Sequence, residues 1–205
     1  MSPVRCLGPV LLLASLLGGC AVGAREATAP TLLPAGRVLV VGRILTEENR
    51  AVVEAAEDLV VRRLRSAGDV QGASRFLQAA AAGGAWGPAF RLVEGLRHGL
   101  SPVAEAVAPA LEELGLRGVV VVDVPTYEQV WGRYAKFTRV AVEAEAFQLS
   151  PPGSAWRVRG FVETEGRRGR AFELTLEEAV RILTDDIAPG AEPPFLAELW
   201  RAWRR

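Results

Sequence analysis

The chain has 205 residues, with 24 basic and 24 acidic side chains and a formal net charge of zero. Half of it is apolar and about a quarter charged, ordinary for a globular protein, and it is long enough for one domain with a real core. The neutral balance removes the electrostatic case for nucleic acid, and Lys136 as the only lysine fits a GC-rich genome.

The N-terminus is built in three parts. Arg5 supplies a positive charge, Val10 to Leu17 a short apolar core, and Gly18-Gly19 the small residues a signal peptidase needs. A membrane-spanning helix needs ~20 apolar residues, and this run has less than half of that, so it reads as a secretion signal and not an anchor. Leu17-Gly18-Gly19-Cys20 resembles a bacterial lipobox. The resemblance implies cleavage before Cys20, diacylglycerol on its thiol and a fatty-acylated (palmitate-type) new N-terminus. Gly18 stands where Ala, Ser or Thr is more usual. Charge, apolar core, small residues and cysteine still come in the order that favours a lipoprotein over an ordinary secretory signal. Residues 1–19 are then the signal peptide. Cys6 leaves with it, so the mature chain keeps only Cys20 and forms no intramolecular disulfide. One acyl chain holds a membrane only marginally, at ~0.8 kcal/mol per buried methylene, whereas several on one residue hold it permanently. Ala21, and not Asp, follows the cysteine. By resemblance to Gram-negative sorting this favours the outer membrane, with the protein facing the periplasm.

Residues 20–36 read as a lipidated flexible tether, since Ala21 to Gly36 is rich in Ala, Pro, Thr and Gly without periodicity. Fully extended at ~3.3 Å per residue, it would reach roughly 50 Å. The α/β domain is expected over 37–190 and an amphipathic helix over 191–205.

Arg37 to Gly42 is a continuous apolar run, consistent with a strand covered on both faces. Thr46 is placed to cap a helix with Glu47 and Glu48 in its first turn. Val52, Val53, Ala56, Leu59, Val60 and Leu64 recur down one face of that helix, and Gly68 lies just beyond it. Asp69 to Gly115 reads as helical. A short helix ends at Gly83-Gly84, a second runs from Pro88 through His98, and Ser101-Pro102 opens a third that Pro109 kinks or divides. Gly118 to Val124 is the most strand-like run. Phe137 to Leu149 alternates, with Val140, Val142, Ala144 and Ala146 on one face and Arg139, Glu143 and Glu145 on the other. Trp156 to Glu165 alternates again, and the turn from Ser150 to Ser154 makes the two runs an antiparallel hairpin. Thr175 to Glu178 is a capping box that opens a helix to Ile187. The fold class is α+β: a small mixed β-sheet with an antiparallel hairpin, packed against several helices.

This order of elements resembles the periplasmic lipoprotein superfamily of the curli secretion-channel lipoprotein (CsgG), the penicillin-binding-protein activators (LpoB) and the N-terminal domain of TolB. The residues that carry it are "RVLVVG" behind the tether, "LGLRGVVVVDVPTY" (Leu114 to Tyr127) and the hairpin "VAVEAEAFQLSPPGSAWRV". The likeness spans most of 37–187. It departs where the second strand is reduced to the residues around Asp69-Val70 and the helical stretch before Leu114 is longer. It implies an envelope role through protein contacts. Homo-oligomerisation stays open, since rings form in the curli branch but no apolar strand pair here resembles a membrane hairpin.

Nothing in the residue pattern supports an enzyme. His98 is alone, Ser101, Ser150 and Ser154 sit in caps and turns, and the adjacent pairs Glu177-Glu178 and Asp185-Asp186 diverge around a helix. No catalytic residues, metal or cofactor are therefore expected. Partner binding has candidates in Tyr127 and Trp131, which follow Asp123 on a segment broken by Pro125. At their helical spacing the preferred reading is that they simply cover the sheet edge. The basic loop Glu165 to Arg170 reads as a solubilising surface. The function these features favour is a non-enzymatic outer-membrane lipoprotein, an accessory or scaffold in envelope assembly or secretion with an envelope protein as partner. The alternative is a small-ligand or solute-binding lipoprotein, for which two lobes and a cleft are expected.

At the end of the chain, Phe195, Leu196, Leu199, Trp200 and Trp203 fall on one helical stripe behind Pro193-Pro194. Two tryptophans near a terminus need burial on the domain, a partner or the membrane, and Trp200 and Trp203 are candidates for partner contact. Docking on the domain itself is favoured, because an exposed aromatic stripe invites aggregation. Deleting Phe195 to Arg205 should then lower the melting temperature by several degrees. An unchanged melt with loss of a co-purifying protein would place the stripe on a partner instead.

Overall fold

The computed structural model describes residues 21–27, 33–131, 136–149, 152–165 and 171–188. Six strands form one sheet: β1 (Ala21–Ala27), β2 (Val38–Gly42), β3 (Val70–Gly72), β4 (Gly118–Trp131), β5 (Lys136–Leu149) and β6 (Pro152–Glu165), in the order β1-β6-β5-β4-β2-β3. The β2 strand runs parallel to both β3 and β4, while β4, β5, β6 and β1 are antiparallel in turn. Among the described residues five α-helices cover the sheet: α1 (Arg50–Leu64), α2 (Ala73–Ala82), α3 (Trp86–Arg97), α4 (Val107–Glu113) and α5 (Ala171–Thr184). The fold is α+β with a mixed sheet, as the residue pattern predicts.

Every residue of β2 is buried, which is why its sequence is apolar without alternation. Val38 and Val40 pack with α1 and α5, and Leu39 and Val41 pack with α2, α3 and α4. The neighbouring β4 divides in the same way, Val120 and Val122 to one side and Val119 and Val121 to the other. Among the described residues Trp156 of β6 is the largest fully buried side chain, and it lies on the α1/α5 side with Val140, Val142, Val158 and Val162. The alternation read along β5 and β6 is thus the alternation between core and open face.

Several local expectations are corrected. Ala21–Ala27, expected in the tether, is an edge strand on β6 with Ala21 opposite Thr164. The β6 edge offers a ladder that Ala- and Gly-rich sequence does not advertise by itself. Thr46 caps only a single 3-10 turn, Glu47–Asn49, and the α-helix proper begins at Arg50. Ser101-Pro102 opens a turn and not a helix, the Ser101 hydroxyl accepting from the Val103 N–H at 3.4 Å. Pro109 then sits in the first turn of α4, where its missing N–H has no helical acceptor to lose, so it neither kinks nor divides the helix. Thr175 does not cap α5. The helix starts at Ala171, and Thr175 is buried inside it with its hydroxyl 2.6 Å from that of Thr164 on β6. Among the described residues no helix is long and apolar enough to cross a membrane. Cys20, the loop over 166–170 and the tail with Trp200 and Trp203 lie outside the described residues.

One buried carboxylate fastens the parallel end of the sheet. Glu57 of α1 accepts the Gly42 N–H and the Ala73 N–H, each at 2.8 Å, and so ties the end of β2 to the start of α2. Burial pushes its pKa up, against the opposing pull of those two N–H groups and of the Arg97 charge. At the far end of α1, buried Arg63 donates to Thr184 at 2.7 Å and pairs with Asp185 at 3.2 Å, locking α1 to α5.

Two outcomes follow. Val121→Asp or Val140→Asp places an unpaired charge at a site 2% or 0% exposed. Each should cost about 4 kcal/mol or more, read as loss of the cooperative melt. Glu57→Gln leaves one backbone N–H facing an amide donor and should cost about 1–3 kcal/mol in denaturant unfolding. A raised folded pKa contributes stability below the unfolded value that is lost as pH rises through the folded one. The gap between wild type and Glu57→Gln should therefore narrow as pH rises over that window.

Candidate functional site

The β2 strand ends at Gly42, opposite Val122, whereas β4 continues to Trp131. From Asp123 onward β4 pairs only with β5, so its other edge is open among the described residues. Pro125 stands at the start of this open edge, next to an irregularity in the β5 register between Asp123 and Thr126. A proline lacks the N–H for a ladder bond and is tolerated in a strand where no neighbour needs it.

Tyr127 and Trp131 both lie on this extension, on the strand and not on a loop or helix. Tyr127 is 47% exposed and packs on Phe172 of α5, with ring centroids 4.1 Å apart at 60°. Trp131 is 77% exposed at the end of the strand. They share one face because they are an even number of residues apart. Asp123 does not join them. It is largely buried and faces Arg43 at 3.8 Å across the end of β2.

The opposite face of the extension carries charge in rows. Arg139 of β5 bridges Glu163 of β6 and, at 3.5 Å, Glu128 of β4. Lower down, Arg159 meets Glu143 at 3.4 Å and Arg157 meets Glu145 at 3.1 Å, each pair directly opposite in register. The hydrogen-bonded Glu163 and Glu128 carboxylates raise the Arg139 pKa. On the same sheet face, Ala24, Glu26, Arg159 and Phe161 line an open depression where β1 meets β6.

The edge strand β1 is held from behind by α5. A Cβ on Gly23 would strike Ile182, and one on Gly160 would strike the Ala179 carbonyl, so these two glycines let the helix sit close on the strands. Arg25 reaches Asp186 at 2.5 Å. That contact and the Arg63–Asp185 pair engage both residues of the acidic doublet in structure. His98 is exposed and lies 3.3 Å from Glu94 one turn back on α3. Among the described residues, no three His, Cys, Asp or Glu side chains gather to hold a metal.

A second aromatic pair escaped the sequence reading. Trp86 and Phe90 stack on α3 at 5.4 Å, 48% and 41% exposed. Their i, i+4 spacing was the available signal, but a helix expected to start at Pro88 leaves Trp86 outside it, whereas the helix starts at Trp86.

The fold is similar to that of PelC from Paraburkholderia phytofirmans, known as a dodecamer in two crystal forms, one of a single-substitution variant. The TM-score is 0.53 at 17% identity, over 82% of this chain and 99% of that one. The lipoprotein GNA1162 from Neisseria meningitidis also matches, with a TM-score of 0.46 at 13% identity, over 71% of this chain and 94% of that one. No family model and no curated relative matches the sequence. The likeness to PelC is one of fold, and it takes in nearly the whole length of that protein.

Proposed function

We propose that this chain is a non-enzymatic lipoprotein of the bacterial outer membrane, facing the periplasm and acting through protein–protein contacts. Its role is that of an accessory or scaffold in envelope assembly or secretion, working as a homo-oligomer. The observation that carries the reading is the junction of anchor and sheet. The lipobox cysteine is Cys20, and the next residue, Ala21, is the first of β1. Acylated Cys20 would therefore hold the domain against the membrane with no slack between lipid and sheet.

The dodecamers of PelC, a protein of similar fold, support self-assembly as the working state. The open β4 edge and the exposed Tyr127 and Trp131 supply surface for contact. The non-enzymatic reading draws on what the candidate groups do instead: His98 pairs with Glu94, Asp185 with Arg63 and Arg181, and Asp186 with Arg25.

Cys20→Ser should release the protein from membranes and abolish incorporation of labelled palmitate. A variant that still fractionates wholly with the outer membrane after a high-salt wash would overturn the anchor. Pulldown of the lipidated protein should bring a stable envelope protein. A metabolite retained through purification in its place would favour the solute-binding alternative.

A further inference from the structure

The sheet ends in two open edges among the described residues, apart from the short β3. One is the outer edge of β1. The other is the part of β4 beyond the end of β2, Asp123 to Trp131. Both lie in the same half of the sheet, since Ala24 is level with Phe161, Ala141 and Thr126 across β6, β5 and β4. Each presents backbone donors and acceptors whose natural complement is another strand.

Strand direction decides what can pair. The strands β4, β5, β6 and β1 alternate in direction, so β1 runs opposite to β4. Two copies standing the same way up can therefore set the β1 of one antiparallel to the β4 extension of the next. An edge paired symmetrically with its own copy must be antiparallel to itself, which turns one protomer upside down. The residue before β1 is Cys20. Acylated cysteines on inverted protomers would point to opposite ends of the dimer, and one flat membrane could not hold both. Head-to-tail pairing instead leaves every Cys20 on the same rim.

We infer that β1 of one copy pairs antiparallel with the Asp123–Trp131 segment of β4 in the next copy. This heterologous contact extends the sheet from protomer to protomer and closes into a ring with all lipid anchors on one side. The inference rests on the proposed acylation of Cys20 and the proposed homo-oligomer. It names the surface that builds the oligomer. Tyr127 and Trp131, on the open strand, would flank the added β1.

Cysteine cross-linking on the full-length, membrane-extracted protein tests it. Ala24 and Glu128 lie on the same sheet face, one on each edge, and the exposed Ala24→Cys and Glu128→Cys changes leave the core untouched. With a flexible bismaleimide, the double variant should give a ladder extending beyond the dimer, and each single variant should give no ladder. Particle mass and the thermal melt, measured on the same samples, establish assembly and folding. A dimer from Ala24→Cys alone, or from Glu128→Cys alone, would overturn the head-to-tail contact in favour of an inverted pair. Folded oligomers of unchanged mass with no cross-link in the double variant would overturn the surface while leaving the homo-oligomer standing. A folded monomer, its edges covered by its own tail, would overturn both. Wild-type protein that does not sediment with membranes would remove the anchor argument separately.

Discussion

The structure depends on a mismatch in strand length. The β2 strand has 5 residues and β4, its parallel neighbour, has 14. At Gly42 the chain leaves the sheet, the Gly42 N–H taken by Glu57 and the Arg43 N–H by the Val122 carbonyl at 2.7 Å. A Cβ at Gly42 would meet Val53 and Glu57, so only glycine lets α1 cross this close to the end of the strand. Below this level β4 is interior strand, buried on both faces. Above it β4 is an edge. The same strand is an interior strand over residues 118–122 and an open edge over residues 123–131.

The antiparallel half meets a different constraint, because away from Phe147 the described helices cover one face of it. Val140, Val142, Val158 and Val162 turn toward α5, and the opposite face holds the Arg–Glu pairs. Exposed ion pairs contribute about 0–1 kcal/mol each, so the rows add little to stability. Their weight is in register. A slip by one residue would carry Arg139 and Glu143 into the core and the valines out to water. Opposite charges directly across from one another, as in Glu143–Arg159 and Glu145–Arg157, favour the single alignment that also buries the valines.

Helix α5 joins the two halves. It lies against β1, β5 and β6 at one level and against α1 at another, through glycines that allow close approach and through the buried Arg63 guanidinium. Burial lowers the Arg63 pKa while Asp185 opposes it, and the charged guanidinium is held by Asp185 and the Thr184 hydroxyl. Removing Asp185 would take the paired carboxylate from a cation held between two helices. The Tyr127–Phe172 contact carries the same coupling to the β4 extension, where the first turn of α5 meets the open strand.

What the sequence by itself determined are properties carried by spacing within one segment. The unbroken apolar run of β2, the alternation along β5 and β6 and the apolar stripe of α1 are all of this kind. They were legible because burial imposes its period on neighbouring residues. Tertiary structure alone decided the features whose cause lies far along the chain. Ala21–Ala27 becomes a strand because β6, well over a hundred residues later, offers it an edge. Thr175 sits inside a helix because it meets Thr164, and Glu57 is buried because Gly42 and Ala73 bring it two N–H donors. Tyr127 and Trp131 were legible as aromatics beside the sheet edge, but their exposure on an open strand was not. That open edge exists because β2 is short, and the length of a neighbouring strand leaves no mark on the residues of β4.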